Sequence, residues 1–364
     1  MMNKISSAVR SRLKRTHLSN VVLLSAARKP YSPVMIDDCR ETLQGASPRP
    51  RSSFGAFRFA NPASLDVSVI VPAYNVEKYI GPCLDSILSQ KVDFDMEVII
   101  VNDGSTDGTL AEVKSRASFD SRVVLIDQAN RGFSGARNAA IDLARGGVLC
   151  FVDSDDMLAP GHLQALWNAI STTHADFVSA TWSKMTEEGK VLGCAERVRT
   201  HGAPWSRMYS RKVWENIRFP ENFWFEDTVQ AYCINSRFSE SFCDDDGYLR
   251  RYRGDSITAV AFTNPKSIDS FWVVEEMLDW CDALGIPMTD VYEQTIRQFG
   301  PILLSRTKWM DDGLRRCLFS CCSQLLIARF ERPASYLISG QGRYLEQALW
   351  ERNYDLWLTA CRWS

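Results

Sequence analysis

No stretch of the 364 residues reaches the roughly 18 to 20 consecutive apolar positions that a bilayer-spanning helix needs. Four histidines, His17, His162, His174 and His201, fall at no metal-ligand spacing, so histidine-based metal chemistry has no support. The cysteines number eleven, an odd count, and include no C-x-x-C pair, which argues against a disulfide framework and a zinc ribbon and suits a reducing, cytoplasmic setting. A formal net charge of only -2 denies the chain a whole-molecule basic field, so general nucleic-acid binding is not favoured. Glycine is missing from the turn Pro72-Ala73-Tyr74-Asn75-Val76. A dinucleotide fingerprint or a phosphate loop would need glycines there for close backbone approach, which argues against a dehydrogenase or a P-loop enzyme.

What is present is ordinary for a soluble protein: 45% hydrophobic and 24% charged residues, enough to bury a core without disulfides. Charge is unevenly spread. Residues 1 to 60 hold eleven Lys or Arg against Asp37, Asp38 and Glu41, so the negative balance lies in the remainder. Basic residues up to Arg15 precede a short apolar run, Val21 to Ala27, at the bottom of the length range for a targeting leader. A basic arm able to touch an anionic membrane surface on its inner face is the preferred reading. Cys317, Cys321 and Cys322 join Leu314, Leu318 and Leu325 on one helical face, which reads as apolar packing.

Residues 1–63 are rich in Ser, Arg and Pro and show no sustained period, so they are expected to form a flexible arm. From Asp66 the pattern changes. Runs at 67–71, 98–101, 123–126 and 148–152 are short and rich in Val, Ile and Leu, while Val76, Tyr79, Ile80, Cys83, Leu84, Ile87 and Leu88 recur at helical spacing. Further helices are expected from near Ser105 to Ser115 and over 134–145. Four strands with three crossovers predict an α/β fold, a mostly parallel sheet covered on both faces, with ligands beyond the carboxyl ends of its strands. The expected divisions are a first half at 64–170, a second half of the same domain at 171–262 and a helical C-terminal region at 263–364. In that last region, Arg- and Trp-bearing segments such as 343–363 read as helices packed on the protein or docked on a membrane.

Chemistry should therefore follow the strands. Asp103, in Asn102-Asp103-Gly104-Ser105-Thr106-Asp107, stands at a strand tip before a glycine turn and can accept a hydrogen bond from an N–H such as a nucleobase imide; a simple capping turn explains Ser105 and Thr106 better than it explains Asp103. Asp153-Ser154-Asp155-Asp156 sets three carboxylates at the end of an apolar strand, an arrangement expected to need a hard divalent cation to offset it.

Val67 to Asn75, Val101 to Asp107, Asn130 to Asn138 and Phe151 to Asp156 together resemble the successive motifs of the family 2 inverting glycosyltransferases, over about residues 66 to 260. The resemblance implies an A-type glycosyltransferase fold that binds a nucleoside-diphosphate sugar, usually uridine-linked, and transfers the sugar to a saccharide or lipid-linked saccharide, as in surface polysaccharide biosynthesis. Position by position it puts Pro72, Ala73 and Tyr74 on the base, Asp103 on its imide N–H, Asn130 and Arg137 in the nucleotide pocket, Asp153 and Ser154 near ribose and sugar, and Asp155 on Mn²⁺ or Mg²⁺. Arg137 has a second reading, an ion pair with an acidic loop.

The segment from Pro204 to Asp227 is similar to the family's acceptor side, with Arg207 where Lys is more usual. By that likeness Asp227 is the general base and Glu226 its support; an acidic pair before a helix also suits the dipole alone. Trp205 and Trp224 are candidate acceptor stacking surfaces, with core packing as the alternative. Arg253 and Ser256 are placed to meet the departing diphosphate. A nucleotidyltransferase, and a sugar-nucleotide-binding protein without catalysis, are the competing functions.

Overall fold

The computed structural model describes residues 17–30, 38–51, 54, 55, 57–194, 202–254 and 261–363. The chain opens with α1 (His17–Ala27) and α2 (Cys39–Ala46). Then follow β1 (Leu65–Ala73), α3 (Glu77–Leu88), β2 (Met96–Asp103), α4 (Thr109–Ala117), β3 (Val123–Gln128), α5 (Gly132–Leu143) and β4 (Gly146–Phe151). Next come β5 (Met157–Leu158), α6 (His162–Thr173), β6 (Phe177–Met185), β7 (Val191–Cys194), β8 (Arg207–Ser210) and β9 (Glu240–Arg251). The remaining helices are α7 (Asp269–Ala283), α8 (Met288–Arg297), α9 (Leu303–Arg306), α10 (Asp312–Arg329), α11 (Gly342–Trp350) and α12 (Tyr354–Trp363).

These elements form two compact units, one of residues 51–256 and one of residues 1–50 with 257–364. In the first, the described strands make one sheet in the order β3-β2-β1-β4-β8-β6-β9-β5, with β7 on β6. β3, β2, β1 and β4 are mutually parallel. β8 enters antiparallel to β4 and to β6, and β9 runs parallel to β6. The fold is thus the expected α/β arrangement, with antiparallel pairing where β8 joins β4 and β6. Val67, Val69, Ile70, Val71, Val98, Ile99, Ile100 and Val101 are fully buried because helices cover both faces of the central strands. Burial of each such side chain stabilises by about 1.5–3 kcal/mol. On α3, Ile80, Cys83, Leu84 and Ile87 supply the matching apolar stripe.

The second unit revises the reading of residues 1–63 as one flexible arm. Residues 39–46 form α2, whose Cys39 and Leu43 are buried. Arg40 donates to both oxygens of Glu275 at 2.7 and 2.9 Å, and Arg49 donates to Glu276 and Asp279 at 3.0 and 3.2 Å. Trp272 Nε1 donates to the Ser47 carbonyl at 3.0 Å. Arg40 and Arg49 therefore have acidic partners more than 200 positions along the chain. Cys317, Cys321 and Cys322 are buried on α10, on the expected apolar face. Tyr344, Leu349, Trp350 and Trp357 of α11 and α12 are buried too, so these apolar faces are used in packing. No helix among the described residues is long and apolar enough to cross a membrane.

Candidate active site

The carboxyl ends of the parallel strands carry the predicted acids. β2 ends on Asp103, which is buried. Its Oδ1 accepts from Gln128 Nε2 and from the Arg131 backbone N–H, both at 2.8 Å, and no hydrogen bond to its Oδ2 is made among the described residues. Gly104 follows at φ +73°, where a Cβ would come within 2.9 Å of the Asn130 nitrogen, so the turn that presents Asp103 requires glycine. Asn130 Nδ2 donates to the Asp103 carbonyl at 2.9 Å. Asn130 thus shapes the turn. At the end of β1, Pro72 is half-buried and Ala73 is buried, while Tyr74 just after it is 50% exposed, leaving the Tyr74 ring as the accessible aromatic surface of this group.

Arg137, on α5, is the hub. It is buried, and its two terminal nitrogens donate to Glu226 Oε1 at 2.5 Å and Asp153 Oδ1 at 2.8 Å. Burial alone would lower its pKa, but the Asp153 and Glu226 carboxylates outweigh that and hold the guanidinium more firmly charged than usual. The ion pair with acidic loops is thus present. The same helix carries Asn138, which donates to the Phe219 carbonyl at 2.9 Å and to Glu221 at 3.2 Å, and Arg131, just before it, donates to Glu221 at 2.7 Å. α5 therefore ties the Asp103 turn, the Asp153 tip and the segment before Glu226 into one constellation.

Each acid of the Asp153 to Asp156 cluster meets a protein partner. Asp153 has Arg137, and Asp155 has Arg253, with Nε 2.8 Å from Oδ2. Buried Asp156 accepts from the Tyr248 hydroxyl and from the Arg251 N–H, both at 2.7 Å. Arg137, Arg253 and Tyr248 of the chain itself thus share in offsetting these carboxylates. Some strain remains. Burial, then the charge of Asp153, raises the pKa of Asp155 against the opposing pull of Arg253, and burial with both neighbouring acids raises that of Asp156 well above the ordinary range. No group of three His, Cys, Asp or Glu disposed to hold a metal occurs among the described residues. Asp155, a hard oxygen donor with its side chain 21% exposed, suits a cation that takes its remaining ligands from a diphosphate and water. A cavity of about 550 Å³, whose lining includes Tyr79, Met157, Glu187 and Arg251, shares Tyr79 and Arg251 with this tip, since Arg251 and Arg253 both lie over the Tyr79 ring.

Glu226 is buried, and its pKa is pushed up to about 7 by burial, with the neighbouring Asp227 adding to the rise and Arg137 opposing it. Asp227 is only half-buried. Phe225 before the pair sits at φ +63°, a left-handed conformation that aims the chain into the turn, and a π turn at Gln230–Ile234 follows. Ser154 is buried beside Asp153. Trp224 is half-buried and meets Phe225 edge to face, centroids 6.3 Å apart. Trp205 is corrected from acceptor surface to core: it is 8% exposed and stacks on buried Tyr248 at 4.7 Å. Ser256 lies outside the described residues. Sequence reasoning gave no role to Tyr248, which bonds Asp156 and accepts from the Asp153 N–H at 3.2 Å, or to Glu221, because their partners lie far along the chain.

Residues 68–229 match the sequence model of glycosyl transferase family 2. The chain carries a family 2 glycosyltransferase domain. It is 31% identical over 204 residues to glycosyltransferase GlyA of Streptococcus pneumoniae serotype 4, a match covering 51% of this chain and 27% of GlyA. Against the uncharacterized glycosyltransferase EpsJ of Bacillus subtilis it is 30% identical over 220 residues, 54% of this chain and 64% of that protein. The chain thus spans less than two thirds of the length of either relative. Among solved structures, S. aureus TarS residues 1–349 in complex with UDP-GlcNAc superposes with a TM-score of 0.57 at 20% identity, covering 81% of this chain and 90% of that one. The likeness shows the A-type glycosyltransferase fold, and the family domain sets aside the nucleotidyltransferase reading.

Proposed function

We propose that this family 2 domain transfers a sugar, with inversion, from a nucleoside-diphosphate donor, uridine-linked, to a saccharide or lipid-linked saccharide acceptor in polysaccharide synthesis. The observation that carries this reading is the Arg137 bridge, which joins the strand-tip Asp153 to Glu226, the immediate neighbour of Asp227. It ties the expected donor side of the site to the expected acceptor side.

In this reading Asp103 receives the imide N–H of the base on Oδ2, while its Oδ1 stays held by Gln128 and Arg131. Tyr74 covers the base with its exposed ring. Asp153, fixed by Arg137, and Ser154 face ribose and sugar. Asp227 takes the proton of the acceptor hydroxyl as its oxygen bonds the anomeric carbon, and the bonding pair of the broken C–O bond leaves with the diphosphate. Glu226, neutralised by Arg137, keeps Asp227 from facing a second bare charge. Asp155 would hold Mn²⁺ or Mg²⁺, which when bound supplies positive charge to the leaving diphosphate. The Arg253 side chain that neutralises Asp155 without ligand is then available for that diphosphate.

The test is release of UDP from UDP-sugars by the purified chain with Mn²⁺, first alone and then with an extract of saccharide acceptors. Acceptor-stimulated release supports the reading; tight UDP binding with no release under either condition would make the protein a non-catalytic binder.

A further inference from the structure

Tyr248 and Arg250 point to one face of β9, and the same face continues to Tyr252, whose N–H bonds the Met185 carbonyl at 3.0 Å. Tyr248 stacks on Trp205, and Trp205 meets the ring of Trp182 edge to face at 5.7 Å. Arg250 lies over this group, its guanidinium carbon 5.5 Å from the Trp182 centroid, 5.7 Å from Trp205 and 5.6 Å from Tyr252. Lys184 Nζ stands 5.6 Å from the centroid of the same Tyr252 ring.

The parallel register of β6 and β9 sets Lys184 directly opposite Arg250. Like charges in that relation repel, and ring contacts alone offset the repulsion only in part. Neither cation has a hydrogen bond or an acidic partner among the described residues. Across the strand the opposite holds: Arg251 is spent on the Asp155 and Glu187 carbonyls and Arg253 on the Asp155 carboxylate. Two unspent cations, half-buried Trp182 and half-exposed Tyr252 make a small platform that lacks one thing, a negative charge. It also reaches the site: the Tyr248 hydroxyl at its inner end bonds Asp156 and the Asp153 N–H.

We infer that Lys184, Arg250, Trp182 and Tyr252 form a subsite for the acidic group of an anionic saccharide acceptor, carboxylate or phosphate, with a sugar ring against Tyr252. This rests on the sugar-transfer reading above. A single Arg and Lys pair walled by rings fits one acidic group on a ring better than the flat, extended charge of a membrane.

The experiment is calorimetric titration of the full chain with three probes: a tetrasaccharide alternating glucuronic acid and N-acetylglucosamine, a glycerol phosphate trimer, and neutral chitotetraose. At least one acidic probe binds roughly tenfold or more tightly than chitotetraose, and its identity separates carboxylate from phosphate. Arg250→Gln and Lys184→Gln each remove most of that preference, whereas Arg250→Lys, which keeps the charge, retains part of it. Thermal melting of each variant establishes that it is folded. Equal binding of acidic and neutral probes, an unchanged preference in folded Arg250→Gln, or capture by phosphatidylglycerol vesicles with no saccharide binding would each overturn the inference. UDP-dependent thermal stabilisation of the wild-type chain, measured without saccharide, reports on the transfer reading alone, so the two failures are told apart.

Discussion

Arg137 and Glu226, 89 positions apart in sequence, share a 2.5 Å hydrogen-bonded ion pair in which both side chains are buried. Asp153 completes the arrangement on the other guanidinium nitrogen. A planar fork presents two terminal nitrogens in fixed directions, one to each carboxylate, whereas an ammonium would have to reach both from a single atom. The pair makes the spacing between the two sides of the site a property of one side chain.

Arg137→Met is therefore expected to be costly. Removing one partner of a buried pair leaves uncompensated charge and typically destabilises by about 3–5 kcal/mol, and Met leaves both Asp153 and Glu226 without their guanidinium. Urea unfolding of the variant should show a midpoint shift of that size. A change under about 1 kcal/mol would mean that the bridge is not what holds Asp153 and Glu226 in place.

Glu226 should leave a mark on the pH dependence of stability. Its folded pKa, about 7, lies above the ordinary carboxyl value of 4.5, so between those two values the folded state binds more protons than the unfolded state. Stability contributed by this group is present at low pH and is lost as pH rises through that window. Asp155 and Asp156 act in the same direction, so the clean measurement is a difference. The stability of wild type relative to Glu226→Gln should fall steadily between pH 5 and about pH 8. A flat difference would show that Glu226 is ionised throughout.

The central strands were legible because continuous Val and Ile runs such as Val98 to Val101 occur where both sheet faces are covered, and the acids at their tips follow from that. Partnerships were not legible. Nothing local announces that Arg137 will reach Glu226, that Arg40 will meet Glu275, or that the β6 and β9 register brings Lys184 beside Arg250. Composition made residues 1–63 look like an arm because the acids that balance Arg40 and Arg49 lie in α7. Trp205 stayed open between surface and core for the same reason: its burial is decided by Tyr248, a residue from a distant strand.

Asp155 bears on metal dependence. Its carboxylate is paired with Arg253, so Asp155→Ala both removes an oxygen ligand and releases an arginine. UDP affinity measured without metal should be unchanged or slightly higher, since the freed guanidinium can meet the diphosphate. The increment that Mn²⁺ adds in wild type should vanish. If Mn²⁺ tightens UDP binding equally in both proteins, the cation is held elsewhere.

On the proposed mechanism Asp227 is the general base. Glu226 and Asp227 are adjacent, but the structure treats them differently: Glu226 is buried on Arg137, whereas Asp227 is half-buried. A base must be ionised at working pH and within reach of the acceptor hydroxyl, and Asp227 is the more accessible member of the pair. Asp227→Asn keeps the size and loses the basicity, so UDP affinity should stay within about threefold while turnover falls by roughly 10² or more, the usual worth of a general base. Glu226→Gln should show another signature, with a loss of stability alongside any loss of rate, because it breaks the bridge. Near-normal turnover in folded Asp227→Asn, together with a collapse in Glu226→Gln at unchanged stability, would exchange the two roles and make the buried acid the base.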